Sequence, residues 1–379
     1  MKRRLALITE IIAPYRIPVF NALAGRDDID LRVIFLSEND PTLRQWLVYK
    51  DEVRFPYEVL RSFRRRVAGF HLLLNRGVAA ALENARPDAV LCGGYNYMAS
   101  WQALAWANRR NVPFLLWLES TAGDQRGSSA WIAGLKRVFL RRCRSFVVPG
   151  RASQEYLRQL GAPAEAIFEA PNAVDNAFFA AHATWARARE GELRSRLGLP
   201  PRYFLFVGRL VEAKGVFELL EAYATLDSPL RQAVGLVFAG DGPAAAELRE
   251  RASRITDAKI QFKGFVHKDA LPGYYALADA LVFPTHSDTW GFVVNEAMAC
   301  SKPVIASEVA GCVADLVEDG WNGRVVASRN VAQLAAALAE FAGAGESLCA
   351  MGKRGAERIA RYSPEACAAG IAQAVTRCA

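Results

Sequence analysis

The chain has 379 residues, enough for two domains that each bury a core, and 52% of it is hydrophobic, which excludes a disordered protein. Net charge is +8, and all of the excess lies early: residues 1–190 carry 27 Lys and Arg against 18 Asp and Glu. The seven cysteines are an odd number with no Cys-x-x-Cys pair, which argues against a disulfide framework or a zinc site.

Met1-Lys2-Arg3-Arg4 leads into a short apolar run broken by Glu10, which reads as a first core strand and not as a signal peptide. No apolar stretch reaches the ~18–20 residues that span a bilayer. The first half then alternates strands at 4–9, 31–36, 89–92, 113–118 and 145–148 with helices at 17–24, 69–85, 98–109, 131–142 and 152–160. Such alternation means a parallel, doubly wound sheet. Within it, Arg61, Arg64, Arg65 and Arg66 precede Phe70 and Leu72 to Leu74. This basic stretch reads either as a surface for anionic lipid or as a solvated loop entering a buried helix. Aromatic residues do not alternate with the basic ones, so nucleic acid is not expected as a partner.

Residues 172–200 shift toward Ala, Arg and Glu and read as a connection. The second half repeats the pattern, with strands near 203–207, 234–239, 259–262, 280–283 and 303–305. The first of these ends in Gly208, followed by Arg209 and Lys214. Cations at a strand's carboxyl end suit a diphosphate, Arg by bidentate hydrogen bonds and Lys as a point charge. Residues 237–243 form another strand ending in Gly240 and Gly242. The run FPTHSDTWGFVVNEAMACSKPVIA, 283–306, reads as strand, loop, helix and strand, with Asp288 in the loop and Glu296 in the helix. A helix starting near Phe292 points unpaired N–H groups at that loop, suited to phosphate and sugar oxygens, while carboxylates suit sugar hydroxyls. Taken singly, each piece also reads as ordinary turn or surface charge.

In order and spacing, GRLVEAKG (208–215), AGDGP (239–243), FKGFV (262–266), residues 277–307 and VEDGWNGRVV (317–326) resemble the retaining glycosyltransferases of family 4. The first half matches less, through APYRIPVFNAL (13–23) and PNAVD (171–175). The resemblance implies the GT-B architecture, two Rossmann-like parallel-sheet α/β domains facing a central cleft. The domains are expected at 1–183 and 184–362, with a final helix, 363–379, crossing back to the first.

It also implies sugar transfer from a UDP- or GDP-sugar to an acceptor hydroxyl, with no metal and no other cofactor. The donor would meet Gly208, Arg209, Lys214, Gly240, Gly242, Phe265, Val266, Asp288, Gly291, Phe292, Val293 and Glu296. Arg209 and Lys214 would stabilise the leaving diphosphate, Glu296 would bind ribose, and Asp288 would hold the sugar. The family's usual pair is two glutamates, so Asp288 is one methylene short. Acceptor candidates are Tyr15, Arg16, Tyr95, Asn96 and Glu119, for a glycan, lipid-linked or small-molecule acceptor. Glu119 ends a strand, where an acid also commonly pairs with an Arg. His286 sits in the donor loop, and Cys300 replaces a smaller residue. A cell-surface glycan pathway is expected, in the cytoplasm or on the inner face of the membrane. The rivals are a nucleotide-sugar epimerase of the same architecture and a silent nucleotide-sugar binder.

Overall fold

The structure, a computed structural model, describes residues 2–40, 46–67, 70–124 and 130–378. It divides into two units, Met1–Val174 with Ser363–Ala379, and Asp175–Tyr362. The division falls at 174 and not at 183. The helix Asn176–Ala188 packs on two helices of the second unit, Leu271–Leu277 and Phe292–Ala299. Its Arg187 also donates to Cys300 O at 3.0 Å.

The first unit holds β1 (Arg3–Thr9), β2 (Ile29–Phe35), β3 (Tyr57–Val59), β4 (Arg61–Val67), β5 (Phe70–Arg76), β6 (Ala89–Gly93), β7 (Phe114–Trp117), β8 (Ser145–Val148) and β9 (Ile167–Glu169). Seven of them form one sheet in the order β3-β2-β1-β6-β7-β8-β9, and every pairing is parallel. Side chains alternate between two buried layers. Leu5, Leu7 and Leu91 enter one, and Ala6, Ile8 and Val90 the other. The final helix, Pro364–Cys378, belongs to this unit and packs on the helix Ile17–Ala24 and on β8 and β9.

The basic stretch does not lead into a helix over 69–85. Strands β4 and β5 pair as an antiparallel hairpin, and the helix begins only at Val78. The apolar run after Phe70 fits either period over so short a length. Gly77, at φ 90°, then breaks the chain before the helix. Opposed residues share a face of the hairpin. Leu73 and Asn75 are buried, and the Asn75 amide donates to Leu36 O at 2.6 Å. Arg64, on that inner face, is ion-paired with the buried Asp40. The outer face carries Arg61 opposite Arg76 and Phe63 opposite Leu74, all exposed. The side chains of Arg66, Phe70 and Leu72, expected in the same patch, lie outside the described residues.

The second unit holds β10 (Tyr203–Val207), β11 (Gly235–Ala239), β12 (Ile260–Phe262), β13 (Ala280–Phe283), β14 (Val304–Ser307) and β15 (Gly323–Val326). They form a parallel sheet in the order β12-β11-β10-β13-β14-β15. Strand β10 has only buried residues, which is why it reads as an unbroken apolar run. Because β10 lies between β11 and β13, the strand order reverses there. The loops after β10 and β13 therefore emerge side by side, at the point where open α/β sheets bind ligands. No single described helix is long and apolar enough to cross a membrane.

Candidate functional site

Three loops of the second unit are stitched together above this reversal. Gly208 closes β10 at φ 146° and donates to Ala239 O at 3.1 Å. Leu210 N donates to Asp241 O at 2.9 Å, and Ala244 N returns a bond to Leu210 O at 3.0 Å. The contact is so close that a Cβ on Gly240 would lie 1.8 Å from Gly208 O, and one on Gly242 would lie 2.4 Å from Leu210 O. These two glycines hold the loop that carries Arg209, and the space beside each is filled by that loop's own backbone. On the other side, a Cβ on Gly215 would lie 2.0 Å from Pro284 O. His286 N and the Thr285 hydroxyl both donate to Ala213 O, at 2.9 and 3.1 Å.

That scaffold sets the cations and acids. Arg209 is exposed, and its side chain has no hydrogen bond or ion pair among the described residues. Lys214 forms an ion pair with Asp288 across the two loops. Asp288 also uses its other oxygen, Oδ1, to accept from Trp290 N at 3.1 Å. Aspartate is suited to this contact, because its short side chain reaches the amide two residues on. Trp290 is buried, and its indole N–H donates to Asn295 Oδ1 at 2.9 Å. Gly291, at φ 107°, then starts the helix Phe292–Ala299, with Phe292 and Val293 half-buried in its first turn.

Glu296 lies inside that helix. Its Oε2 accepts from the Tyr275 hydroxyl at 2.6 Å. An edge of the residue stays accessible, yet packing around the carboxyl pushes its pKa up to about 7, with the Tyr275 hydrogen bond opposing the shift. Tyr275, wholly buried, has no marker in the sequence. The buried His286 imidazole sits 3.0 Å from Glu218 Oε1, so it packs against the helix that follows Lys214. Phe265 is exposed after β12, with Val266 half-buried beside it. Cys300 is buried, and its thiol contacts Phe179 O at 3.6 Å. No described group of three or more His, Cys, Asp or Glu side chains is arranged to hold a metal.

In the first unit the strand order reverses at β1 and β6. Tyr15 and Arg16 follow β1 there, and Tyr95 and Asn96 follow β6. Arg16 is ion-paired with Glu119, donates to Asn172 Oδ1 at 3.0 Å, and lies 4.1 Å above the Trp117 ring. Burial lowers its pKa. Glu119 is thus tied to Arg16. Tyr15 meets Trp46 edge-on at 5.9 Å, and Tyr95 packs on Phe139 at 5.9 Å. Asn96 is exposed.

Two family models match the chain. Glycosyl transferases group 1 covers residues 191–358, and Glycosyltransferase Family 4 covers residues 21–178. Among curated proteins, the alpha-D-kanosaminyltransferase of Streptomyces kanamyceticus is 33% identical over 190 residues, 50% of this chain and 48% of that one. The D-inositol 3-phosphate glycosyltransferase 2 of Catenulispora acidiphila is 34% identical over 206 residues, again 50% and 48% of the two chains. The chain thus spans about half the length of the curated relatives it matches. Among solved structures, Anabaena HepE in complex with UDP-glucose superposes with a TM-score of 0.76 at 20% identity, covering 98% of this chain and 99% of that one. At that identity the likeness concerns the fold, and it agrees with two parallel-sheet α/β units of the GT-B type.

Proposed function

Because the chain belongs to glycosyltransferase family 4, we propose that it transfers a sugar from a nucleoside diphosphate donor to an acceptor hydroxyl with retention at the anomeric carbon. The observation that carries this reading is the meeting of the Arg209–Lys214 and Asp288–Gly291 loops at the strand reversal of the second unit. The bond from the sugar's C1 to the β-phosphate oxygen breaks, and its electron pair leaves on the diphosphate. Arg209 and Lys214 stabilise that charge. The acceptor oxygen bonds to C1 on the same face, and its proton passes to the departing phosphate oxygen. Asp288 and Glu296 accept from donor hydroxyls and serve as binders, not as an enzyme nucleophile. HepE's complexes with UDP and UDP-glucose favour a uridine donor by analogy. A thermal-shift screen of UDP, GDP and their sugars tests the reading. One of them should raise the melting temperature of the parent and not of Arg209→Ala or Lys214→Ala. Equal shifts in all three proteins would remove the diphosphate assignment.

A second reading concerns the hairpin of the first unit. Arg61 lies opposite Arg76 with no described acidic partner, an arrangement of like charges that costs stability. Phe63, at 62% exposure, and Leu74 lie beside them. Arginines around an exposed apolar pair suit an anionic bilayer surface, and so a lipid-linked acceptor. Arg64 takes no part, being tied to Asp40. Vesicle co-sedimentation should need anionic lipid, fall with salt, and drop in Arg61→Ser/Arg65→Ser and in Phe63→Ser. Absence of pelleting at low salt points to a soluble acceptor.

A further inference from the structure

Lys214 and Asp288 come from different loops, and each is the other's ion-pair partner. On the proposed function, Lys214 must meet the diphosphate and Asp288 the donor sugar. In the structure these two charges neutralise each other.

The two partners are not equally mobile. Asp288 is fixed at both ends. Its Oδ1 accepts from Trp290 N, and its backbone O accepts from Gly311 N at 3.0 Å. Trp290, which follows, is buried and bonded to Asn295. Lys214 carries its ammonium on a flexible four-carbon stem. When a diphosphate arrives, Lys214 is the group that turns.

The consequence differs for the two forms of nucleotide. A free nucleoside diphosphate takes Lys214 and leaves the Asp288 carboxylate without its cation, close to charge of its own sign. A donor still carrying its sugar brings hydroxyls that donate to Asp288 and replace the lost partner. We propose that Asp288 is a specificity-determining residue acting through Lys214: it competes with the diphosphate for the ammonium, so the site disfavours the spent nucleotide relative to the sugar donor. This rests on the donor reading above and deepens it. Aspartate at this position can hold Trp290 N with one oxygen while presenting the other to Lys214.

The test is calorimetric titration of UDP and of GDP into the parent, Asp288→Asn, Asp288→Glu and Lys214→Ala, with near-UV circular dichroism as the check on folding. Asparagine keeps an Oδ1 acceptor for Trp290 N but removes the charge that competes for Lys214. Asp288→Asn should bind the nucleoside diphosphate about three- to tenfold more tightly than the parent, the range expected for one partly exposed ion pair. Asp288→Glu keeps the charge and should stay within about twofold of the parent. Lys214→Ala should bind more weakly than either. If Asp288→Asn binds no more tightly while Lys214→Ala binds less tightly, the competition is overturned and the donor reading stands. If Lys214→Ala binds like the parent, or no protein binds UDP or GDP, the donor reading falls and takes the competition with it.

Discussion

The Tyr275 hydroxyl donates to Glu296 Oε2 at 2.6 Å, joining the helix Leu271–Leu277 to the helix Phe292–Ala299. The carboxyl titrates near pH 7 because packing penalises its charged form. The other groups around it, Tyr275 and Cys300, have their own pKa values raised by burial and stay neutral in this range. The folded state keeps the Glu296 proton up to about pH 7, and the unfolded chain releases it near 4.5. Stability from this group is therefore fully present below pH 4.5 and lost as pH rises through about 7. Glutamine has the same shape and does not titrate. Across that window, urea unfolding should shift in favour of Glu296→Gln over the parent by up to about 3 kcal/mol. A difference that does not change with pH would contradict the raised pKa.

Arg209 is exposed and makes no described side-chain contact, so the fold does not depend on it. Arg209→Ala should leave the unfolding midpoint within about 0.5 kcal/mol of the parent. Its turnover should nevertheless fall by roughly two orders of magnitude, as for a lost transition-state donor. Parallel denaturation and initial-rate measurements separate the two effects. A large loss of stability would mean that the residue is structural.

Gly240→Ala would place a methyl 1.8 Å from Gly208 O, on backbone that neither loop can move without losing its bonds to the other. The expected cost is at least about 2 kcal/mol, with nucleotide binding lost along with it, because the displaced loop carries Arg209. Denaturant melts and a UDP thermal shift read both. Full binding by Gly240→Ala would show that the two loops are not rigidly coupled.

Arg16 is largely buried, and Glu119 is its ion-pair partner. Removing the acid by Glu119→Ala should cost about 2–3 kcal/mol, since Asn172 and Trp117 remain as partners. Arg16→Met combined with Glu119→Ala should recover most of that loss, because no buried charge is then left unbalanced. If the single variant is as stable as the parent, the ion pair contributes nothing to the first unit.

The strands that the sequence reveals are the ones buried on both faces, such as β7 and β10, where every residue is apolar. The short edge strands β3 and β9, three residues each, carry too little pattern to be seen. The hairpin was hidden for a different reason. Its inner face buries Leu73 but also carries the half-buried Arg64, and an inward arginine erases the two-residue alternation that would mark a strand. In the candidate site, Arg209, Lys214, Asp288 and Glu296 stand out in the sequence by residue type, by position after apolar strands and by the family resemblance, and the structure brings Lys214 and Asp288 together. Tyr275 was not, because a tyrosine in an apolar helix reads as core. Gly240 and Gly242 were legible as important but not in kind, since close approach to a ligand and close approach to another loop demand the same residue.

Local chemistry along the chain therefore determined the fold class, the ends of the apolar strands and the residue types that could bind a diphosphate and a polyol. Those depend on side chains and neighbours a few positions apart. Which loops meet was decided only in three dimensions. Strand β10 pairs directly with β13, whose sequence lies beyond β11 and β12, and this brings Lys214 to Asp288. It also decided which charges are available: Arg209 is left exposed, Arg64 and Arg16 are consumed by Asp40 and Glu119, and Glu296 is held by Tyr275. A charged side chain's role is set by its nearest counter-charge and its exposure, and neither is a property of sequence distance.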